Sequence, residues 1–461
     1  MFKIKKIKNF AVIAKSEDDI ELKDLTIFMG DNSAGKSYLA MLIHSFVTMT
    51  RGYQDKDFLK AINSKFSELH LIVNLKQTIS KIVESDNDKI VLSFNKKDLL
   101  DLKEIIRFSI NDYLLKKYLT KTLFENENLE EIEIELIKLE NVLPSRLTIE
   151  NIQINDRTTI EVLIDDKYKS GASFQGDFDK EFIISETINN IISNLVQHTV
   201  KQTLTVNSVY LPASRTGYLQ TYKALANQAI FKSYNADNEN SKNHLSIIIR
   251  FFITQLNTNT EFKNTEFSEF IENLIMKGTV GIFEDNNNIE FKLKNGDSVN
   301  LNYLSSTVSE LIPLVVFLKR GLIKRGGLLV IEEPEAHLSF ENQKLMAKLI
   351  ALFLENNIKV LITTHSDFLI YELNNLILKN SIIKNRDEID KQEYEAVIKD
   401  EISIQYKKIA LYNFILKNDK SIIKRVKIDK YGINNRYIFD NTYSLTKEKN
   451  QLLDILDLIN A

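Results

Sequence analysis

Eight residues near the N-terminus have the types and spacing of a phosphate-binding loop. They follow the pattern G-x-x-x-x-G-K-[ST] and are Gly30, Asp31, Asn32, Ser33, Ala34, Gly35, Lys36 and Ser37. Such a loop directs consecutive backbone N–H groups and a helix N-terminus at the β- and γ-phosphates of a nucleotide. Lys36 would add a positive charge, and the Ser37 hydroxyl would be a ligand for Mg²⁺. The alternative is a chance match in a chain rich in lysine and serine.

The segments on either side are the ones that such a loop requires. Residues 25–29 are apolar and predict a short buried strand, while residues 38–46 predict the first turns of a helix. Strand, glycine loop and helix therefore follow one another in the order that gives the motif its physical meaning.

A second group of polar residues lies about 300 residues further on, after two apolar runs. Residues 328–331 predict a buried parallel strand that leads into Glu332 and Glu333, and residues 359–364 predict another that leads into His365. The carboxyl ends of parallel strands face a common ligand crevice. Glu332 could hold Mg²⁺ through water, and Glu333 could orient or deprotonate an attacking water. Alternatively, the glutamates cap the following helix and His365 is a core histidine.

With these motifs in place, the chain resembles the ATP-binding-cassette (ABC) type of ATPase, in the branch that contains SMC, RecF and OLD-like proteins. Residues 1–10, with a second strand before the loop, are similar to the start of that branch. Residues 332–338 (EEPEAHL) resemble the Walker B motif and D-loop of OLD-like members, and residues 363–366 (TTHS) match the H-loop. The resemblance covers about the first 50 residues and roughly residues 205–375.

The resemblance implies specific ligands and roles. It implies ATP and Mg²⁺ as ligands, Glu333 and His365 as catalytic residues, and Ser37 and Glu332 as metal ligands. Residues 209–215 (VYLPASR) are similar to a strand-plus-arginine motif of the OLD-like group. Arg215 is therefore a candidate contact to phosphate or to a subunit interface; a solvated arginine is the alternative.

Residues 304–311 occupy the place of the family's signature motif, with Thr307 where relatives usually have glycine. In the family this motif begins a helix whose N-terminus touches the γ-phosphate bound by the opposite subunit. Ser305 and Ser306 can supply the hydroxyl and the N–H groups, whereas Thr307 adds a branched side chain where close approach is wanted. Alternatively, the two serines are ordinary caps of the apolar helix that follows.

Composition favours a cytoplasmic enzyme. The chain has 461 residues, 44% of them hydrophobic and 27% charged, which is enough for two or three lobes with their own cores. It contains no cysteine, which excludes disulfides, cysteine zinc sites and the zinc-hook version of the family. No apolar run approaches the ~20 residues that cross a bilayer, and the N-terminus lacks the pattern of a signal peptide.

The net charge of −3 excludes a surface that is basic as a whole, but one local basic segment is a candidate DNA contact. Residues 417–436 carry seven basic residues against two aspartates. The basic residues are Lys417, Lys420, Lys424, Arg425, Lys427, Lys430 and Arg436.

The predicted fold class is α/β. We expect an ABC-ATPase-type P-loop head, with a parallel core sheet plus N-terminal antiparallel β-structure, a mainly helical insertion and a small C-terminal α/β extension. The four segments are residues 1–53 (head, with the phosphate loop), 54–205 (insertion), 206–375 (remainder of the head) and 376–461 (extension). Within them, hydrophobic spacing predicts helices over 58–82, 99–123, 183–200 and 446–459, short strands over 146–166, a β-meander over 279–301, and strands near 411–415 and 421–428.

These motifs predict an ATP-hydrolysing subunit that forms a homodimer around ATP. The nuclease members of the OLD-like group carry a TOPRIM domain, and we find no TOPRIM carboxylate pattern downstream of His365. The chain would therefore control a separate effector, a nuclease or a toxin, or act on DNA. By analogy of fold this would serve bacterial anti-phage defence or genome maintenance. The competing hypothesis, favoured by Thr307, is a nucleotide-gated binding or scaffold protein with negligible turnover that docks a partner protein.

Overall fold

The computed structural model divides the chain into two compact units. Unit 1 contains residues 1–7 and 45–205, and unit 2 contains residues 8–44 and 206–461. The structure describes residues 2–48, 56–84, 89–119, 130–137, 139–154, 157–176, 178–204, 207–222, 224, 247–256, 263, 265–282, 289–434, 447 and 449–452.

The strands occur partly in consecutive runs and partly between helices. The strands are β1 (Phe2–Phe10), β2 (Ile13–Ser16), β3 (Ile20–Glu21), β4 (Leu25–Gly30), β5 (Lys89–Ser93), β6 (Glu131–Leu136), β7 (Arg146–Ile154), β8 (Arg157–Ile164), β9 (Tyr168–Gln175), β10 (Ser208–Leu211), β11 (Gly278–Ile282), β12 (Ile289–Leu293), β13 (Ser298–Val299), β14 (Leu328–Glu332), β15 (Lys359–Thr364), β16 (Ile409–Lys417), β17 (Lys420–Val426), β18 (Ile428–Asp429) and β19 (Gly432–Ile433).

The helices differ widely in length, and two of them continue into π-helical turns. The α-helices are α1 (Lys36–Thr48), α2 (Lys56–Phe66), α3 (His70–Val83), α4 (Lys96–Phe108, continued by Ser109–Leu119), α5 (Lys180–Thr203), α6 (Ile247–Leu256), α7 (Glu266–Phe270, continued by Ile271–Met276), α8 (Ser306–Lys319), α9 (Phe340–Glu355), α10 (Asp367–Lys384) and α11 (Lys391–Val397). Residues 215–222 are also helical. Within the described part of the chain, no helix has both the length and the apolar character needed to span a membrane.

The centre of unit 2 is a parallel sheet. Its strands lie in the order β10-β14-β15-β4-β16, and every neighbouring pair among them is parallel. Every residue of β10 and β14 is buried, and so is every residue of β4 except Gly30. This is expected when helices cover both faces of a sheet. Beyond β16, the sheet continues through β17 and β2 to residues 8–10 of β1, and the β2–β1 pair is antiparallel. The prediction of a parallel core with N-terminal antiparallel β-structure is confirmed.

Helices α8, α9 and α10 contribute to the main core of this unit. Val315, Ile350 and Leu373 are each completely buried, and they belong to the same apolar cluster as Leu329 and Ile362 of the sheet. The predicted β-meander is also present, since β11, β12 and β13 form an antiparallel sheet. It ends shortly before the signature residues at the start of α8.

The C-terminal hairpin joins the core sheet. The strands predicted near 411–415 and 421–428 are confirmed as β16 and β17, which pair in antiparallel fashion. The sequence did not predict the neighbour of β16, which is β4 itself, in a parallel register that runs from Ile409 beside Leu25 to Phe414 beside Gly30. Residues 447 and 449–452 are helical, and the rest of the helix predicted over 446–459 lies outside the described residues.

Unit 1 combines helices with an antiparallel sheet in the order β5-β7-β8-β9. The strands predicted over 146–166 and the helix predicted over 183–200 are confirmed as β7, β8 and α5. The prediction of one helix over 58–82 is wrong, because α2 ends at Phe66 and Leu69 has an extended backbone before α3. Apolar spacing does not reveal the break, since both helices bury one face. The helix predicted over 99–123 begins at Lys96 and is described as far as Leu119.

Candidate nucleotide-binding and catalytic site

The glycine loop joins β4 to α1 and is closely packed. Gly30 has φ +132° and Gly35 has φ +90°, and Ser33 between them has φ +59°. A Cβ atom on Gly30 would lie 2.2 Å from the carbonyl oxygen of Phe414, and one on Gly35 would lie 2.8 Å from Cγ1 of Ile13. Both positions therefore require glycine, for conformation and for space.

The Lys36 side chain folds back over this loop. It is only 5% exposed, and its Nζ donates hydrogen bonds to the carbonyl oxygens of Gly30 (2.9 Å) and Asp31 (2.6 Å). Burial lowers the pKa of Lys36 to about 8, although the negative charge of Glu333 acts in the opposite direction. Because burial disfavours the charged amine, an anion beside the loop would stabilise it. A cation held over the glycine loop is what a phosphate site requires, and phosphate binding at Lys36 stays a prediction.

Glu332 ends β14, next to Thr363 of β15. Its side chain is buried, and Oε2 accepts a hydrogen bond from the backbone N–H of Ala213 at 3.1 Å. Its Oε1 has no hydrogen-bond partner among the described residues. Burial, the negative charge of Glu332 and the hydrogen-bonding approach of its carboxylate to the Tyr210 hydroxyl raise the pKa of Tyr210 well above its usual value. A buried carboxylate with few protein partners suits a further ligand, such as the water shell of a bound cation.

Glu333, His365 and Lys36 come together although they are far apart in the sequence. Glu333 has φ +44° and leaves the strand with its N–H donating to the carbonyl of Thr363 at 2.9 Å. Its Oε1 lies 3.5 Å from Nε2 of His365, and Nδ1 of His365 lies 3.4 Å from Nζ of Lys36. The His365 ring therefore lies between the Lys36 amine and the Glu333 carboxylate. The interaction with His365 chiefly lowers the pKa of Glu333, so this carboxylate is ionised and can act as a base.

Glu335 holds the H-loop, a role that the sequence did not reveal. Its Oε1 accepts hydrogen bonds from the Thr364 hydroxyl (2.7 Å), the His365 N–H (2.9 Å) and the Ser366 N–H (3.2 Å). A single carboxylate oxygen thus fixes the backbone from which the His365 ring projects. The only sequence signal was an acidic residue two positions after Glu333.

Arg215 begins the helical segment 215–222 that follows β10, and it is buried, not solvated. Its guanidinium donates to the carbonyl oxygens of Glu310 (3.1 Å), Pro212 (3.0 Å), Glu332 (2.6 Å) and Glu333 (3.2 Å). Its Nε also lies 2.9 Å from Oε2 of Glu310. These contacts connect the acidic end of β14 to helix α8. The predicted role as a phosphate or interface contact stays a prediction, and the described contacts are those of a positioning residue.

The signature serines begin helix α8. Ser305 is its N-cap and accepts a hydrogen bond from the Val308 N–H at 3.4 Å, and Ser306 is the first helical residue. The Thr307 hydroxyl donates to the carbonyl oxygen of His337 in the D-loop at 2.6 Å. The branched residue at this position therefore links the signature helix to the D-loop. Contact between Ser305 or Ser306 and a nucleotide stays a prediction.

The hairpin formed by β16 and β17 makes hydrogen bonds to the glycine loop. The carbonyl of Phe414 in β16 accepts a hydrogen bond from the Asp31 N–H (3.4 Å), and the Asp31 carboxylate accepts one from the Leu416 N–H (3.2 Å). In β17, the buried hydroxyl of Ser421 donates to the carbonyl of Ala34 at 2.7 Å. These contacts join residues more than 380 positions apart, and no local signal in the sequence indicates them.

The residues present fit a Mg²⁺ ion that is held jointly with phosphates. The Ser37 hydroxyl, in the first turn of α1, and the carboxylate of Glu332 are the hard oxygen donors that Mg²⁺ prefers. Among the described residues there is no cluster of three or more histidine, cysteine, aspartate or glutamate side chains that could hold a metal alone. Mg²⁺ usually binds through few protein ligands together with substrate phosphates.

The parallel sheet, the glycine loop and the acidic strand ends define a P-loop ATPase of the ABC-like kind. The AAA ATPase domain family (AAA_15) matches residues 1–370, and the chain belongs to this family. Membership implies the use of a nucleotide and, usually, of Mg²⁺. No curated protein matches the chain.

Similar solved structures include two SMC head domains. The SMC head domain from Thermotoga maritima has 11% sequence identity and a TM-score of 0.30, with 92% of this chain and 98% of that chain covered. An Smc head domain with an extended coiled coil, bound to the C-terminal domain of ScpA and derived from Pyrococcus furiosus, has 11% identity and a TM-score of 0.33, with 100% of both chains covered. Because these scores are low, the family match and the site geometry carry the assignment.

Proposed function

We propose that this protein binds and hydrolyses Mg²⁺-ATP at the loop formed by residues 30–37. One observation carries the proposal: Lys36, His365 and Glu333 form a continuous series of contacts of 3.4 and 3.5 Å at the carboxyl ends of neighbouring parallel strands. This edge of an open α/β sheet is where ligands bind. Phosphoryl transfer needs a phosphate cradle, a cation and a group that orients water, and residues of each type lie on these strand ends and the adjoining loop.

Each residue has a defined part in this proposal. The backbone N–H groups of the glycine loop and the Lys36 ammonium bind the β- and γ-phosphates. Ser37 and Glu332 hold Mg²⁺, which when bound neutralises phosphate charge. Glu333, which its lowered pKa keeps ionised, accepts a hydrogen bond from the attacking water, orients it and takes its proton as the new bond forms. His365 orients Glu333 and lies between it and Lys36.

The proposal includes an ATP-dependent homodimer in the cytoplasm. In it, the N-terminus of α8, with Ser305 and Ser306, meets the nucleotide bound by the second copy. Hydrolysis reopens the dimer and so controls a separate effector protein or an action on DNA, in anti-phage defence or genome maintenance. The resemblance to the RecF and OLD-like branch supports this part. Charge supports DNA contact by residues 417–436 only in part, because Lys424 pairs with Glu17 at 3.0 Å.

A second candidate function is a nucleotide-gated binding protein with negligible turnover. The observation that favours it is Thr307, whose side chain stands at the N-terminus of α8 and is engaged with the D-loop carbonyl of His337. A side chain at this point leaves less room for the close approach of a phosphate from another subunit.

Turnover and assembly should be measured together on the wild type and on Glu333→Gln, with and without DNA. We expect the variant to bind Mg²⁺-ATP, to lose hydrolysis by about a hundredfold or more, since it lacks the general base, and to accumulate as a dimer. Glu401→Gln removes an exposed glutamate far along the chain and is the matched control. If Glu333→Gln hydrolyses ATP at the wild-type rate, the catalytic base is a different residue. A wild type that binds ATP without turnover would favour the second candidate.

A further inference from the structure

Unit 2 contains a cavity at the sheet edge opposite the glycine loop. Its volume is about 400 Å³, and its lining includes Lys23, two residues before β4, and Ile409, the first residue of β16. The glycine loop follows the other end of β4, beside Phe414 of β16. The cavity and the candidate ATP site therefore lie at opposite ends of the neighbouring strands β4 and β16. The proposed ATPase mechanism does not use the cavity.

Four cationic side chains line this cavity against one carboxylate. They are Lys23, Lys407, Arg425 and Lys427, and the carboxylate is that of Asp18. Asp18 accepts a hydrogen bond from the backbone N–H of Arg425 at 2.9 Å, and outside the lining Glu21 lies 3.8 Å from the Arg425 guanidinium. These two acidic groups do not balance four cations. The cavity therefore has an excess of positive charge.

Two of these cations repel each other. The Nζ of Lys23 is held by a hydrogen bond to the carbonyl of Lys407 at 2.9 Å. Burial, followed by the charge of Arg425, lowers the pKa of Lys23, and Glu21 only partly opposes this. Like charges held together in a concave site cost free energy until an anion joins them. A phosphate between them would remove that repulsion.

One wall of the cavity suits a planar ring. Tyr406, Val426 and Ile428 are in its lining, and the Lys407 ammonium lies 5.9 Å from the centre of the half-buried Tyr406 ring. Aromatic faces of this kind stack with nucleobases, largely without regard to sequence. The volume lies within the range of small-molecule sites. Charge, aromatic ring and size thus agree on a ligand that carries both a phosphate and a base.

We propose that this cavity is a second nucleotide site, in which the four cations bind a phosphate ester and Tyr406 stacks against its base. The ligand is either a free mononucleotide or the phosphorylated end of a nucleic acid strand. The site goes beyond ATP hydrolysis at the glycine loop and does not depend on it.

The test uses full-length Lys36→Ala protein, so that the glycine loop does not contribute to binding. The probes are AMP, inorganic phosphate, and a short oligothymidylate with either a 5′-phosphate or a 5′-hydroxyl, titrated by calorimetry. In this background, Lys23→Gln and Lys427→Gln should each weaken AMP binding by about tenfold, the typical loss for one charge-assisted hydrogen bond. Tyr406→Leu should weaken AMP but not inorganic phosphate. Lys391→Gln, at an exposed lysine of α11, is the matched control and should bind like its parent.

The probes also identify the source of the ligand. Binding of AMP without a preference for the 5′-phosphorylated oligonucleotide indicates a free nucleotide, and a clear preference for the 5′-phosphate indicates a strand end. Thermal unfolding shows whether each variant is folded. If Lys23→Gln does not fold, the test still stands on Lys427→Gln, which changes an exposed side chain. The proposal is overturned if no probe binds saturably, or if binding is equally strong in the cavity variants and in Lys391→Gln. Neither result bears on ATP hydrolysis, which the Glu333→Gln experiment tests separately.

Discussion

Substituting Gly30 by alanine should damage both the stability of unit 2 and nucleotide binding. Gly30 is the first residue of the loop, has φ +132°, and lies beside Phe414 of the neighbouring strand. The added Cβ would be 2.2 Å from the Phe414 carbonyl oxygen and 2.9 Å from its nitrogen. These are backbone atoms, so no rotamer change can relieve the contact.

The magnitude follows from two separate terms. Holding a residue with a side chain at this φ costs about 1–3 kcal/mol. Relieving the clash requires β16 to move away by nearly an ångström, and such overpacking costs about 1–3 kcal/mol more. The sum, roughly 2–6 kcal/mol, is a large part of the 5–15 kcal/mol that stabilises a typical domain. Movement of β16 would also strain the hydrogen bonds of Asp31 to Phe414 and Leu416.

The assay is denaturant unfolding together with ATP titration, and the chain offers a matched control. Gly217 lies in the helical segment 215–222, and a Cβ there would meet nothing within 4 Å. Gly217→Ala should therefore be neutral, or more stable by up to about 1 kcal/mol through helix propensity. Gly30→Ala should lose at least about 2 kcal/mol and bind ATP more weakly. If Gly30→Ala matches Gly217→Ala in both stability and ATP affinity, the loop is not packed against β16 as closely as the structure indicates.

Three further predictions concern the same loop. Lys36→Ala should remain folded, because its amine bonds only to loop carbonyls and lies near His365, but should lose most of its ATP affinity by calorimetry; near-normal affinity would contradict the phosphate assignment. The Lys36 pKa is lowered to about 8 in the folded protein from 10.5, so the unfolded chain binds more protons between these values. From about pH 8 to 10.5, the unfolding free energy of the nucleotide-free wild type should consequently rise relative to that of Lys36→Ala. If the two unfolding free energies change in parallel with pH, the pKa of Lys36 is not lowered. Ser421→Ala should leave the buried carbonyl of Ala34 unpaired, costing about 1–3 kcal/mol and weakening ATP binding. Ser403→Ala removes the acceptor of a partly buried hydrogen bond from the Asn380 amide (3.0 Å) and is the matched control, because it should leave ATP affinity unchanged. Equal ATP affinity in the two variants would show that the hairpin does not position the loop.

Local rules were enough to predict the parts of the site. The glycine loop is recognisable because Gly30 and Gly35 have φ values of +132° and +90°, which residues with side chains rarely adopt, and this conformational requirement acts over a few residues. The buried strands β4, β14 and β15 are recognisable because strands covered on both faces are rich in consecutive apolar residues. Glu332, Glu333 and His365 follow such strands, so their approach to a common edge could be expected before the structure was known.

Tertiary structure decided how these parts are held. The neighbour of β4 is β16, Ser421 bonds to the glycine loop, Glu335 fixes the H-loop, and Arg215 is buried against carbonyl oxygens. None of these contacts has a local signal, because the pairing of strands and the burial of a polar group depend on residues that are distant along the chain. The end of α2 at Phe66 was missed for a related reason, since hydrophobic spacing continues through a turn when both helices bury one face. The sequence thus determined the chemistry available to this protein, whereas only the folded chain determined which backbone atoms hold that chemistry in position.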